Sequence, residues 1–245
     1  MRRISAWAVL LACLAALPIG ASDWLTHSGD VQRSGWQKDE AKISKETVKN
    51  LQLLWKVKLE TKQRSVYSLF GPLIVERAIT DRGFKEIAFV AGANNDFFAV
   101  DADLGTILWQ KHFDWHADVP ETVQATFLCP GGLTAWPVLQ PAARGRGPAP
   151  PFPVRAVYVL SGDGDLHAVN INTGGDLAPA MKFLPPNGKP YSLALVNNVI
   201  YTITGQGCGG NPNSVYSLDL NDPARTVRAW RSGSGGLWGT AGAAI

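Results

Sequence analysis

Apolar and polar positions fall into short alternating runs along most of this chain, separated by turn-forming residues. "EIAFVA" (86–91), the turn "GANND" and "FFAVD" (97–101) predict a β-hairpin. After a second turn, "ADLG", the run "TILWQKHF" (106–113) supplies the next strand out, and "SLFGPLIV" (68–75) lies ahead of the hairpin, so four strands follow one another as a meander. The phrase "FFAVDADLGTILW" (97–109) then returns as "LHAVNINTGGDLA" (166–178) and, more loosely, as "VYSLDLNDPARTVRAW" (215–230). A second unit is expected from strands at 132–139, 156–161 and 166–171 with a weaker one at 180–184, and a third from 191–196, 199–204, 215–220 and 226–232.

Both faces of "FFAV" are apolar, whereas a sheet with one solvated face alternates more cleanly. Repeated four-stranded antiparallel sheets that are apolar on both faces bury them by stacking radially about an axis, which predicts an all-β fold of β-propeller blades. Asp101 and Asn170 are 69 residues apart, Asn170 and Asp219 only 49. The longer interval is filled by a polar stretch at 114–124 and by "PAARGRGPAPPFP" (141–153), a solvated surface insertion in which Arg144 and Arg146 carry charge. Two features predict a partial ring. Residues 53–59 read as an outermost strand with no inner strands before it, the closing strand of a last blade, and "LWGTAGAAI" (237–245) reads as the first strand of a fourth unit. The chain is therefore expected to hold about three blades and to lack C-terminal ones, whose absence would leave apolar sheet faces uncovered.

The turn between third and fourth strands has its own chemistry. Asp101 can accept hydrogen bonds from backbone two residues on, Gly105 can take positive φ, Ala99 leaves room for a large neighbour, and Trp109 supplies one. This arrangement resembles the tryptophan-docking repeat of the pyrroloquinoline quinone (PQQ) type propellers of quinoprotein dehydrogenases. Leu104 stands where that repeat has Thr; the second copy keeps Ala168, Asn170, Thr173 and Gly174 but has Ala178 for Trp, and the third keeps Asp219 with a displaced Trp230. "DWLTHSGDVQRSGWQKDEAKISKETVKNLQLLWKVKL" (23–59) is similar to the opening of the eight-bladed members. Within it, Ser44 suits an N-cap, with Ile43 and Val48 placed as a hydrophobic staple, so a short helix is expected from about residue 45 to 50. The resemblance implies that the repeat ties blades together without taking part in chemistry. It also implies PQQ and calcium on the axis of a full-length protein, held largely by later blades, with a carboxylate base; it assigns no catalytic or cofactor-binding residue in this chain.

Arg2 and Arg3, an apolar run at 6–17 and small residues at 20–22 predict an export signal over residues 1–21, too short to anchor in a bilayer. Cys13 lies within the apolar run rather than at its end, which argues against lipid attachment. Residues 22–59 then form an N-terminal segment and 60–245 the blades. Removing Arg2 and Arg3 from the 23 basic residues leaves 21 against 20 acidic ones, so no basic face for nucleic acid is expected. No later segment is apolar enough to span a membrane, and the location expected is periplasmic or secreted. With 46% apolar and 18% charged residues, and Gly at 25, Pro at 16 and Trp at 9, the composition suits a packed, turn-rich core.

Cys129 and Cys208 are placed on the same face of adjacent units, where an oxidising compartment permits a disulfide; two separate buried thiols are the other reading. Neither has a partner at metal spacing. His112 and His116 are four apart, but strand followed by loop does not hold them together as a helix would. Asp101 with Asp103, and Asp163 with Asp165, resemble fragments of calcium loops without the remaining ligands. The glycine-rich loop 205–210 lacks the Lys, Ser/Thr and helix of a phosphate cradle. Two functions follow: an exported PQQ-repeat propeller forming the N-terminal part of a quinoprotein dehydrogenase-like oxidoreductase, or a non-catalytic propeller scaffolding a partner protein in the cell envelope. A glycan-binding propeller rests only on exposed tryptophans.

Overall fold

In the computed structural model, residues 23–63, 68–114, 128–129, 131–143, 150–151, 154–233 and 235–245 are described. The export signal, Cys13, His116 and parts of both insertions lie outside them. Among the described residues the chain forms three four-stranded antiparallel sheets, each a meander in chain order. The first contains β1 (Leu73–Thr80), β2 (Gly83–Gly92), β3 (Asp96–Asp101) and β4 (Ile107–His112). The second contains β5 (Val138–Leu139), β6 (Ala156–Leu160), β7 (Asp165–Asn170) and β8 (Met181–Lys182). The third contains β9 (Ala194–Val196), β10 (Val199–Thr204), β11 (Ser214–Asp219) and β12 (Val227–Arg231).

Stacking is legible in β6, every residue of which is buried. Val157 and Val159 point into a core shared with Phe89, Phe97 and Leu133, while Tyr158 and Leu160 point into another shared with Leu195, Ile200 and Leu218. A period of two thus sends alternate side chains to opposite neighbours, and the second sheet is a wedge between the first and third. Burying about 25 cal/mol per Å² of apolar surface on both faces is what drives the units together. This is the arrangement of consecutive blades of a β-propeller.

Several elements differ in extent from the sequence reading. β1 and β2 continue into a tight hairpin closed at Thr80 and Gly83, through a bulge between Val75 and Ala78 that conceals the strand's alternation. The first strand of the second unit shrinks from 132–139 to Val138–Leu139. Ahead of it Gly132 has φ +67°, and a Cβ there would lie 1.8 Å from the Ala93 carbonyl oxygen, so this stretch packs as a loop against the first blade. The expected helix at 45–50 narrows to one 3-10 turn, Val48–Asn50. Ser44 Oγ accepts from the amides of Glu46 and Thr47 (3.1 and 3.2 Å), but no residue of the turn is buried, so no packing extends it. Residues 53–59 carry no assigned strand, with Trp55, Val57 and Leu59 half-buried, and pair in no ladder among the described residues. The strand expected at 237–245 does not form within the described residues; the Ile245 amide instead donates to the Val31 carbonyl (2.9 Å).

An element unforeseen in the sequence lies along the inner strands. Residues 23–33 cross from blade to blade: Trp24 exchanges two backbone hydrogen bonds with Ile74 (2.9 and 3.1 Å), Leu25 accepts from Leu139 (2.8 Å), and Thr26 Oγ1 donates to the Leu193 carbonyl (2.7 Å). Asp23 is held by Arg155 (2.6 Å).

Candidate functional site

The tryptophan-turn contacts fasten neighbouring parts of the fold to one another. Asp101 accepts from the amides of Asp103 and Leu104 (3.1 and 3.0 Å), and the Gly105 amide closes the turn on the Asp101 carbonyl (2.8 Å). Gly105 has φ +68°, and a Cβ would meet the Trp55 ring at 2.5 Å. Only a bare backbone lets that indole lie flat on the turn. Trp55 Nε1 then donates to the Ala102 carbonyl (2.8 Å). One blade on, Trp109 repeats this against Gly174 (φ +74°, Cβ contact 2.8 Å), donating to the Ile171 carbonyl (3.1 Å). Asn170 serves as Asp101 does, accepting from the Asn172 amide (2.9 Å), and Thr173 Oγ1 accepts from the Gly175 amide (3.3 Å). Ala99 and Ala168 are fully buried, with Ala99 facing Trp109 across the ladder. Burial pushes the Asp101 carboxyl up in pKa, but the Lys85 ammonium (2.8 Å) and the two turn amides outweigh it and the net shift is downward.

The third blade departs from this pattern. Asp219 still accepts from the Asn221 amide (2.8 Å), but the turn is longer, and Arg225, at φ +51°, stands near where a glycine would. Its guanidinium donates to the Leu220 carbonyl, the counterpart of Ala102 and Ile171. Among the described residues no indole claims that oxygen, and the preceding blade carries Ala178 at the position of Trp109. Trp230 pairs opposite Val215 rather than opposite Ser217, the counterpart of Ala99, and is 62% exposed. On the opposite face of the sheets Cys129 and Cys208 form a disulfide with a Cα–Cα distance of 5.5 Å, joining the loop before β5 to the loop between β10 and β11.

Where the N-terminal segment meets the inner edges of the first two blades, Trp24, His27, Ser28, Pro72 and Trp136 line an open cleft of about 390 Å³. Trp136 stacks on Phe70 (centroids 4.3 Å) and receives the edge of His27 (4.6 Å, 82°). His27 Nδ1 lies 2.8 Å from Ser28 Oγ. Burial, and secondarily the charge of Arg33, lower the His27 pKa, so the ring is neutral at pH 7. Arg33 anchors the cleft from behind, donating to Thr26 Oγ1 (2.9 Å) and to the carbonyls of His27 (3.1 Å), Leu193 (3.2 Å) and Ala243 (3.2 Å). Burial lowers its pKa to about 10, with Asp30 opposing, which leaves it charged. Sequence reasoning passed over this cleft because His27, Trp24 and Trp136 belong to no spaced motif; folding alone brings them together.

Other groups are structural. Ser161 Oγ is 3.3 Å from His167 Nε2, and His167 Nδ1 is 3.8 Å from Asp176, which has the outline of a proton relay. The hydroxyl instead donates to Asp163, and His167 packs on Phe113 (4.4 Å), its pKa lowered chiefly by burial against the opposing pull of three aspartates. Asp165 is taken by Lys182 (2.7 Å) and His112 by Asp96 (2.8 Å). Among the described residues no group of three or more His, Cys, Asp and Glu is placed to hold a metal ion. Trp24, His27 and Trp136 give the cleft aromatic walls, and the described residues around it supply no calcium site.

No family model matches the chain, and no curated protein does. Among solved structures, a europium-containing methanol dehydrogenase is 18% identical over 84% of this chain and 31% of its own, with a TM-score of 0.52. The quinohemoprotein alcohol dehydrogenase of Comamonas testosteroni is 19% identical over 94% of this chain and 29% of its own, with a TM-score of 0.54. BamB of Moraxella catarrhalis is 16% identical over 63% of this chain and 48% of its own; its TM-score of 0.23 is too low to bear on the fold. The chain thus spans about 30% of the length of the two dehydrogenases, and the likeness to them is one of fold.

Proposed function

We propose that this chain builds the first blades of an exported propeller of the quinoprotein dehydrogenase kind, and that its aromatic cleft forms one wall of a ligand site on the propeller axis. The observation that carries this reading is the convergence of Trp24, His27 and Trp136 at the inner edges of two blades, held there by Arg33. In a full-length protein PQQ, bound with calcium, would supply the oxidising quinone. This chain's part is to present flat aromatic surface and a neutral imidazole to it, while the cation site is completed elsewhere. The test is a titration of the protein with PQQ and calcium, followed by tryptophan fluorescence. Saturable quenching that Trp136→Ala abolishes is expected; a signal unaffected by that substitution would refute the assignment of the cleft.

A second reading, an envelope scaffold, is favoured by the exposed Trp230, Leu53 and Leu54. Crosslinking from those three positions to an envelope protein, with no PQQ binding, would support it over the first. Both readings require removal of residues 1–21 on export, which N-terminal sequencing of the mature protein would detect as a start near Ser22.

A further inference from the structure

The two blade-to-blade seams are fastened by different chemistry. Between the first and second blades, Trp109 docks on Gly174, Lys111 pairs with Asp176 (2.8 Å), Asn172 Nδ2 donates to the Ile79 carbonyl (2.8 Å) and the Gly162 amide donates to Asn95 Oδ1 (3.3 Å). Between the second and third blades the indole is replaced by Ala178, and the carbonyl it would bind is occupied by Arg225 of the same blade. What crosses that seam instead is the Cys129–Cys208 disulfide, with Thr134 Oγ1 donating to the Pro190 carbonyl (2.9 Å) and the Leu193 amide to the Trp136 carbonyl (3.0 Å).

We propose that the Cys129–Cys208 disulfide is a thiol-sensitive latch, so that its reduction loosens the seam between the second and third blades and leaves the seam between the first and second closed. Cys208 is 2% exposed while Cys129 is half-buried, so an incoming thiolate reaches Cys129 first. The thiolate of a dithiol reductant attacks Cys129 Sγ, the S–S bond breaks, and Cys208 leaves as a thiolate that takes up a proton. The second thiolate of the reductant then displaces Cys129 as a thiolate, which is protonated in turn. Two electrons and two protons pass to the protein and the reductant closes to a cyclic disulfide.

Hydrogen exchange of the folded, oxidised chain, with and without dithiothreitol, tests this. The amides of Leu193 and Gly162 report on the two seams, and thiol alkylation with mass analysis measures reduction. Expected is at least a tenfold faster exchange at Leu193 on reduction, with Gly162 unchanged. Equal acceleration at both amides, acceleration at neither, or a disulfide that dithiothreitol leaves intact would each overturn the proposal. Trp109→Ala in the oxidised protein supplies the converse, with Gly162 accelerated and Leu193 unchanged. The reductant experiment needs no variant, so a failure of that substitution to fold leaves it intact.

Discussion

The seam between the first two blades is closed by an indole lying on a glycine turn, and the seam between the next two by a sulfur–sulfur bond on the other face. A docked tryptophan contributes buried area and one hydrogen bond, and needs a partner turn with no side chain. A disulfide contributes by restricting the unfolded chain and needs only that two loops come within reach. The third blade could therefore accept Arg225 in its turn where the first two require Gly105 and Gly174.

Breaking the covalent seam has the largest expected effect. Cys208→Ser releases a closure of 79 residues and should lower stability by roughly 2–5 kcal/mol, measured by denaturant unfolding under oxidising conditions. Trp109→Ala removes a half-buried indole from the other seam and should cost about 2–3 kcal/mol, with the same loss in the presence of reductant. If the two losses are instead strongly non-additive in the double variant, the seams are not independent. Arg225→Gly loses one hydrogen bond but relieves a left-handed backbone, and should shift stability by no more than about 1 kcal/mol in either direction.

The smallest effect sharpens the contrast through pH. Asp101 has a pKa depressed in the folded state, so the stability it contributes is present above its ordinary carboxylate value and is lost as pH falls through the depressed one. Lys85→Met should raise that pKa and move the onset of acid unfolding to higher pH, as monitored by far-UV circular dichroism. The equivalent turn of the second blade carries Asn170, which does not titrate, so substitutions around it should leave the acid limb unmoved.

The two middle strands of the third blade, β10 and β11, were legible to within a residue, because "VIYTIT" and "VYSLDL" are rich in β-branched and aromatic residues and bounded by turn residues, whereas the first strand shrinks from 191–196 to Ala194–Val196. β1 was less so: its bulge breaks that period, and "ERAITDRGFK" reads as a polar connection although it is a hairpin. The turns of the docking repeat could be read from Asp101, Gly105, Asn170 and Gly174, since positive φ and side-chain caps are local. Which tryptophan lies on which glycine is not local: Trp55 and Gly105 are 50 residues apart, about one repeat. The cleft was not legible, because Trp24 and Trp136 meet only through the backbone bonds of the N-terminal segment.

That segment also bears on the order of assembly. Thr26 lies 167 residues from the carbonyl that accepts its hydroxyl, and Arg33 lies 160 residues from the same oxygen. During vectorial synthesis, residues 23–33 leave the ribosome well before Leu193, so Trp24 can pair with Ile74 once β1 exists while Thr26 and Arg33 still wait for the carbonyl they bind. Each newly finished blade can settle on its predecessor and take up the next residues of this strip, so the strip is fastened in steps, from Trp24 to Arg33.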